Sequence, residues 1–346
     1  MDRLKQLAET NPDNPKFLED YANALLQGGK LILARKLLQK LHGRLHRADR
    51  HDDAYRVVMT HGEWVTGEEG GFRPEWEGPF LRLEKDAKQS FFKRRRIKVR
   101  EGEALFRTGE AAEKIYLILE GELAITVKSE LAGHVLASFV YRGDLVGESA
   151  LQPNSTRVAD VVANKDSTLF EFNREELASA FSKHSDLSEL FEEEISLRRK
   201  TLILSQCPPF SLLTLSERAI VAEQSIEMDI PNGAIIKKER AHLPYAALLI
   251  SGEIESYFTA DMKPNYSGSL YAKTLFGLGA LYLDEAIPHK LVAKKDVKLL
   301  KIPHKVVEDA SEAHVDFETV VSGIASTNYA QTMETIRILS SNPATN

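Results

Sequence analysis

The chain has 346 residues, 45 Lys and Arg against 51 Asp and Glu, a formal net charge of -6, and an ordinary share of apolar residues. That length allows two or three domains, each able to bury its own core, and the acidic balance argues against nucleic acid as a partner. The single cysteine, Cys207, cannot form an internal disulfide, which points to a reducing compartment. The opening MDRLKQLAETNPDN lacks the apolar core of a signal peptide, and no run of about 18 apolar residues follows. A cytoplasmic protein without membrane insertion is expected.

The first ninety residues read as helix. Phe17 to Leu26 and Leu31 to Leu41 carry apolar residues at three- and four-residue spacing, separated by Gln27-Gly28-Gly29-Lys30. Asp13 or Asn14, ahead of Pro15, is the expected N-cap. Leu18, Tyr21, Ala22, Leu25, Ala34, Leu38 and Leu41 fit the spacing of a tetratricopeptide repeat, and a plain helical hairpin gives the same pattern. One such unit is rarely stable alone. These helices are therefore expected to pack on a further helix from about Asp52 to Val65 or on a β-roll, or to form a partner or homodimer surface.

From about Ile97 the apolar period changes to two. Short alternating segments such as IYLILEGELAITV and VLASFVYRGDLV, set between glycines, predict an all-β sandwich or barrel. Helix returns after Asn173. The second half then repeats the first: Gly102, Gly121 and Gly147 recur as Gly233, Gly252 and Gly277, and LFEF at Leu169 recurs as LLKI at Leu299. The expected architecture is α+β multidomain: a helical, tetratricopeptide-like segment (1–90), a β-roll with flanking helices (91–204), and a second, degenerate roll with C-terminal helices (205–346).

The chemistry concentrates in VGESALQPNSTRVADVVA, Val146 to Ala163. A Gly-Glu pair at a short helix start exposes backbone amides to an anion, and Arg157 can grip two of its oxygens. Glu148 repels phosphate but accepts from hydroxyls, so the set suits a ligand carrying both a phosphate and a sugar hydroxyl. In the second copy, FGLGALYLDEAIPHKLVA, Leu278 stands at the Glu position and Ile287 at the Arg position. Losing both charges together spares the fold an unpaired buried carboxylate. The second pocket is expected to have given up its ligand, with His289 and Lys290 facing elsewhere.

With Gly102, Gly109 and Gly121 upstream at the expected turns, this cassette resembles that of the cyclic nucleotide-binding domain family, closely over Lys93 to Lys200 and loosely over Pro208 to His304. The resemblance implies a non-enzymatic receptor for cAMP, with no cofactor. Gly147, Glu148, Ser149, Ala150, Arg157, Val158 and Ala159 would form the site, Glu148 on the ribose 2′-hydroxyl and Arg157 on the cyclic phosphate. Amides near Ala150 and Val158 would complete the phosphate shell. Family members that prefer cGMP commonly carry a Thr after the Arg. Val158 has no hydroxyl, so cAMP is favoured over cGMP.

Asp160 departs from the family pattern and would weaken binding if it pointed inward. Ser196, Arg199 and Thr201 are candidates for the base. Occupancy would pass through the helices after Glu175 to protein partners engaged by the N-terminal helices or the second roll. Kinase regulatory subunits carry a basic inhibitory segment that Lys93-Arg94-Arg95-Arg96 does not convincingly supply. The histidines show no HExxH or similar cluster, and neither a P-loop nor a G-x-S-x-G occurs. The alternative class is a scaffold in which neither roll binds nucleotide.

Overall fold

The computed structural model describes residues 1–12, 14–48, 50, 53–54, 56–57, 60, 80–81, 83, 96–130, 133–260, 263–283 and 286–341. Most of the helix expected from Asp52 to Val65 and most of the basic run at Lys93 lie outside them. The chain divides into two compact units, one of residues 67–219 and one of residues 1–66 together with 220–346. The N-terminal helices thus belong with the last strands and helices of the chain, where the sequence segments kept them apart.

In the second of these units the chain opens with α1 (Asp2–Thr10), α2 (Pro15–Gln27) and α3 (Leu31–Arg47). Asn14 caps α2 by accepting from the Lys16 N–H at 3.1 Å, with Pro15 at the first helical position. Gly29, at φ 72°, turns the chain back into α3. Leu18, Ala22, Leu38 and Leu41 then close a shared core, and Ala22 and Ala34 are fully buried.

What starts α3 comes from far along the sequence. Lys30 precedes the helix and has no side-chain oxygen to offer the first N–H groups. Asp309 does it instead, from α8 (His304–Ala313): its Oδ2 accepts from Ile32 N at 2.8 Å and its Oδ1 from Leu33 N at 3.1 Å, with the residue 1 % exposed. Lys30 pairs with Glu312, and the Lys36 ammonium donates to the Ala313 carbonyl at the end of α8. Burial outweighs these bonds and raises the Asp309 carboxyl above its ordinary value.

The other unit carries a six-stranded antiparallel sheet: β1 (Arg96–Val99), β2 (Ala104–Phe106), β3 (Ile115–Ser129), β4 (Gly133–Tyr141), β5 (Leu145–Val146) and β6 (Asp160–Phe172). The long strands β3 and β6 pair along their lengths, with register shifts around Gly121. A side chain there would meet Ser167 Oγ at 2.2 Å, and φ is 95°, so glycine is required. The sheet buries Ile118, Leu123, Val140, Val161 and Leu169 in one cluster. Leu117, Leu145, Phe170 and Phe172 pack in another against Phe80 and against helices α4 (Arg174–Phe181) and α5 (Ser185–Gln206).

The later strands repeat this pairing scheme: β7 (Ile226–Ile230), β8 (Ile235–Lys237), β9 (Tyr245–Ser251), β10 (Ile254–Ala260), β11 (Lys263–Leu270), β12 (Leu275–Phe276), β13 (Lys290–Ala293) and β14 (Val297–Pro303). β7 pairs β14 as β1 pairs β6, β8 pairs β13 as β2 pairs β6, β10 pairs β11 as β3 pairs β4, and β12 pairs β9 as β5 pairs β3. Gly102, Gly121 and Gly147 have left-handed counterparts in Gly233, Gly252 and Gly277. Helix α6 (Leu215–Gln224) precedes these strands, a short turn α7 (Gly279–Tyr282) lies within them, and α9 (Val315–Ser341) follows α8. Among the described residues no helix is long and apolar enough to cross a membrane.

Asp309→Ala leaves the first amides of α3 buried without an acceptor, and is expected to cost about 2 kcal/mol in urea unfolding. Faster hydrogen exchange at Ile32 and Leu33 would localise the loss. Because the folded carboxyl holds its proton more tightly than the unfolded one, its linkage contribution is full below the ordinary value of 3.8 and is lost as pH rises through the raised one. Asp309→Asn should flatten that part of the stability–pH curve.

Candidate ligand-binding site

β5 ends in Gly147, whose φ of 93° starts a single 3-10 turn, Glu148–Leu151. A Cβ at Gly147 would lie 2.9 Å from both Lys114 O and Arg157 Nη1, so the approach of Arg157 itself requires glycine. The Ala150 N–H donates to Gly147 O at 3.0 Å, closing the turn. It is therefore engaged within the cassette, where the sequence expected it to face a phosphate. Arg174, at the start of α4, donates twice to Ala150 O, at 3.1 and 2.9 Å, and ties the turn to the helix.

Arg157 is 4 % exposed. Its Nη1 donates to Gly147 O at 3.0 Å and lies 3.4 Å from Ser149 Oγ, and its Nη2 donates to Lys114 O at 2.7 Å. The guanidinium carbon sits 4.0 Å over the Phe106 ring centroid and 6.0 Å from that of Tyr116. Among the described residues Nε has no partner. Burial lowers the guanidinium from its ordinary value, against the opposing pull of Tyr116 and Glu148.

Beside the cassette, bounded also by Phe106 and α5, lies a cavity of about 320 Å³. Of the residues singled out from the sequence, Gly147, Glu148, Ser149, Val158 and Ala159 line it; Ala150 and Arg157 do not. Glu148 accepts from Gly147 N at 3.1 Å and stands 3.9 Å from Arg198 Nη1. Arg198 in turn donates to Leu145 O at 2.7 Å and approaches Glu194 at 3.6 Å, so α5 is fastened to the cassette through one side chain.

Of the residues expected on the base side, Arg199 lines the cavity, while Ser196 and Thr201 do not. Thr201 spends its hydroxyl on Leu197 O within the helix. Ile195, Arg198 and Leu202 were missed. The spacing of Ile195, Arg198, Arg199 and Leu202 along one helical face would have found them. Asp160 turns away, accepting from Thr108 N at 2.7 Å, and that bond holds its carboxyl below the ordinary value.

The corresponding cavity of the later strands measures about 230 Å³. Leu278 and Ile287, which the sequence repeat aligned with Glu148 and Arg157, line it. Lys290 points elsewhere, 5.9 Å from the Tyr257 ring centroid, but His289 lines the cavity, contrary to expectation. Lys237, which the sequence did not single out, lines it as well. Among the described residues no three His, Cys, Asp or Glu side chains are grouped to hold a metal ion.

Comparison with known proteins shows what parts of the chain are similar to. The family model of the cyclic nucleotide-binding domain matches residues 96–184, which hold the cassette side of the larger cavity but not its α5 side. Among curated proteins the chain is similar to lysophospholipase nte1 of Neurospora crassa, 26 % identical over 107 residues, covering 31 % of this chain and 7 % of that protein. The Aspergillus fumigatus lysophospholipase nte1 is 27 % identical over 107 residues, with the same coverage of 31 % and 7 %. The chain thus spans less than a tenth of the length of these relatives.

Among solved structures, the regulatory domain of Toxoplasma gondii PKA with cAMP is 18 % identical, covering 69 % of this chain and 85 % of that one, at a TM-score of 0.33. A cyclic nucleotide-binding-like protein from Brucella abortus is 28 % identical, covering 25 % and 74 %, at a TM-score of 0.22. The family match supports a protein that binds a cyclic nucleotide.

Gly147→Ala forces a side chain into a left-handed backbone and against Lys114 O. It is expected to cost roughly 2 kcal/mol in denaturant unfolding of residues 67–219, with broadened resonances confined to the cassette.

Proposed function

We propose that the chain is a non-enzymatic cAMP receptor, with one ligand per chain, held in the cavity of residues 67–219. The observation that carries this is the convergence on that cavity of Glu148, Ser149, Val158 and Ala159 from the cassette with Arg198 and Arg199 from α5. A cyclic phosphate entering beside Ser149 would draw the Arg157 guanidinium from the carbonyls of Gly147 and Lys114, exchanging two neutral acceptors for a charged one. A ribose hydroxyl would engage Glu148 in place of Arg198. Freed from Glu148, Arg198 loosens the tie between α5 and the cassette, so α5 repacks. A ligand shifts such an equilibrium only by its differential affinity for the two arrangements.

In this proposal the repeated strand pairing marks a tandem of two β-rolls, the second without the cyclic-nucleotide grip. The N-terminal tetratricopeptide-like helices and that second roll serve a protein partner. The apolar Val158 favours cAMP over cGMP. One observation favours the scaffold instead: Arg157 already donates to backbone carbonyls and does not line the cavity.

Calorimetry on the full chain decides between them. The receptor predicts one cAMP site per chain, weakened about 100-fold by Arg157→Ala, the equivalent of about 3 kcal/mol for two charge-assisted bonds. Glu148→Ala should weaken it about 10-fold, and Ile287→Ala should leave it unchanged. No heat with either cyclic nucleotide would favour the scaffold, and two cAMP sites per chain would also overturn the proposal.

A further inference from the structure

The second cavity has lost the charges of the first without filling with protein. Leu278 and Ile287 stand where the ionic pair would, yet about 230 Å³ is left between the strands and α9. Among the described residues lining it, Lys237 is the one lysine or arginine. Its ammonium donates to the carbonyls of His289 at 2.7 Å, Ile287 at 2.8 Å and Lys238 at 3.4 Å. All three N–H groups are thus directed at backbone, and no fork is left for a phosphate. Burial lowers this amine to about 8, which further weakens it as an anion anchor.

Among the described residues lining the cavity there is no carboxylate. Burial, with Lys237 nearby, lowers the His289 imidazole to about 4, so near neutral pH it carries one N–H and one bare nitrogen. Its Nδ1 is buried and, among the described residues, has no hydrogen-bond partner. Asn328 and Thr332 face the same space from α9, and Asn328 makes only a 3.5 Å contact with Leu275 O. Phe276, Leu278 and Leu291 supply apolar walls. Donors and acceptors on one side and flat apolar contact on the other suit a rigid ring with polar edges.

We infer that this cavity is a second ligand site, specific for an uncharged heterocycle of nucleobase to nucleoside size, and that it excludes phosphorylated forms. An anion entering it would lose its water and find, among the described residues lining it, no guanidinium and only an ammonium already bonded to carbonyls. The inference rests on the second cavity alone and survives if the first takes no cyclic nucleotide.

The test is calorimetry on the full-length Arg157→Ala chain, in which the first cavity's grip is disabled, with adenosine, guanosine and cAMP as probes. One uncharged probe should bind at one site per chain, at least about 10-fold tighter than cAMP, with an affinity insensitive to salt. Asn328→Ala should weaken it about 10-fold. Thr332→Phe should abolish it by filling the space, and because that residue is half-buried on a long helix the fold tolerates the change, as an unaltered circular dichroism spectrum would verify. If neither nucleoside binds, or if cAMP binds this chain as tightly as they do, the inference is overturned. Absence of cAMP binding to the unsubstituted chain, with a nucleoside still bound at one site, would count against the first cavity's ligand and leave this one standing.

Discussion

A guanidinium taken almost wholly out of water, and held there by backbone carbonyls and a Phe ring, is the constraint on which the larger cavity depends. Arg157 fixes Gly147 by its own proximity, since any side chain at that position would collide with it. Gly147 sets the left-handed start of the 3-10 turn, and the turn presents Glu148 and Ser149 to the cavity. Removing a charged group from water is costly, and three oxygen partners with one aromatic face offset only part of that cost. The unpartnered Nε marks the remainder. A site arranged in this way is held together by a bond network that a suitable anion would outbid.

The later strands show what the same backbone does when that constraint is removed. Gly277 keeps its left-handed conformation, but its close neighbours are now Tyr245 O and the Leu243 side chain rather than a guanidinium. The Lys237 ammonium is enclosed by carbonyls, and among the described residues lining the cavity there is no carboxylate. Strand pairing therefore fixes where a cavity forms, and a few side chains decide its electrostatic character. The two pockets are alike in backbone and opposite in chemistry.

Much of this was legible in the sequence. The period-two segments, the recurring glycines and the cassette spacing are local signals, and strands β3 and β6 lie where they pointed. The helical hairpin followed from an apolar stripe with an Asn-Pro start. Contacts that join distant parts of the chain were not legible. Nothing in the composition of α8 marks Asp309 as the cap of α3, because the N–H groups it serves lie in a helix near the other end of the sequence. Lys237 and His289 were obscured for a similar reason: a lone Lys in a short strand looks solvated until the strand beside it closes over the ammonium. Arg157 was singled out as the central cation, but a spacing motif does not reveal which way a side chain points, and its guanidinium is bonded to backbone carbonyls and does not line the cavity.

The buried cap on α3 bears on how the molecule can be dissected. The repeat in the sequence invites cutting the chain after about residue 90 and studying the strand regions as independent modules. Such a cut would strip α3 from α8, leaving the Asp309 carboxylate and its apolar surroundings facing water, with Glu312 and the last carbonyls of α8 stripped of their lysines. The smallest autonomous piece holding the second cavity is therefore discontinuous, the first helices plus the last third of the chain. Joining residue 66 to residue 220, rather than trimming from the N-terminus, is the way to isolate it.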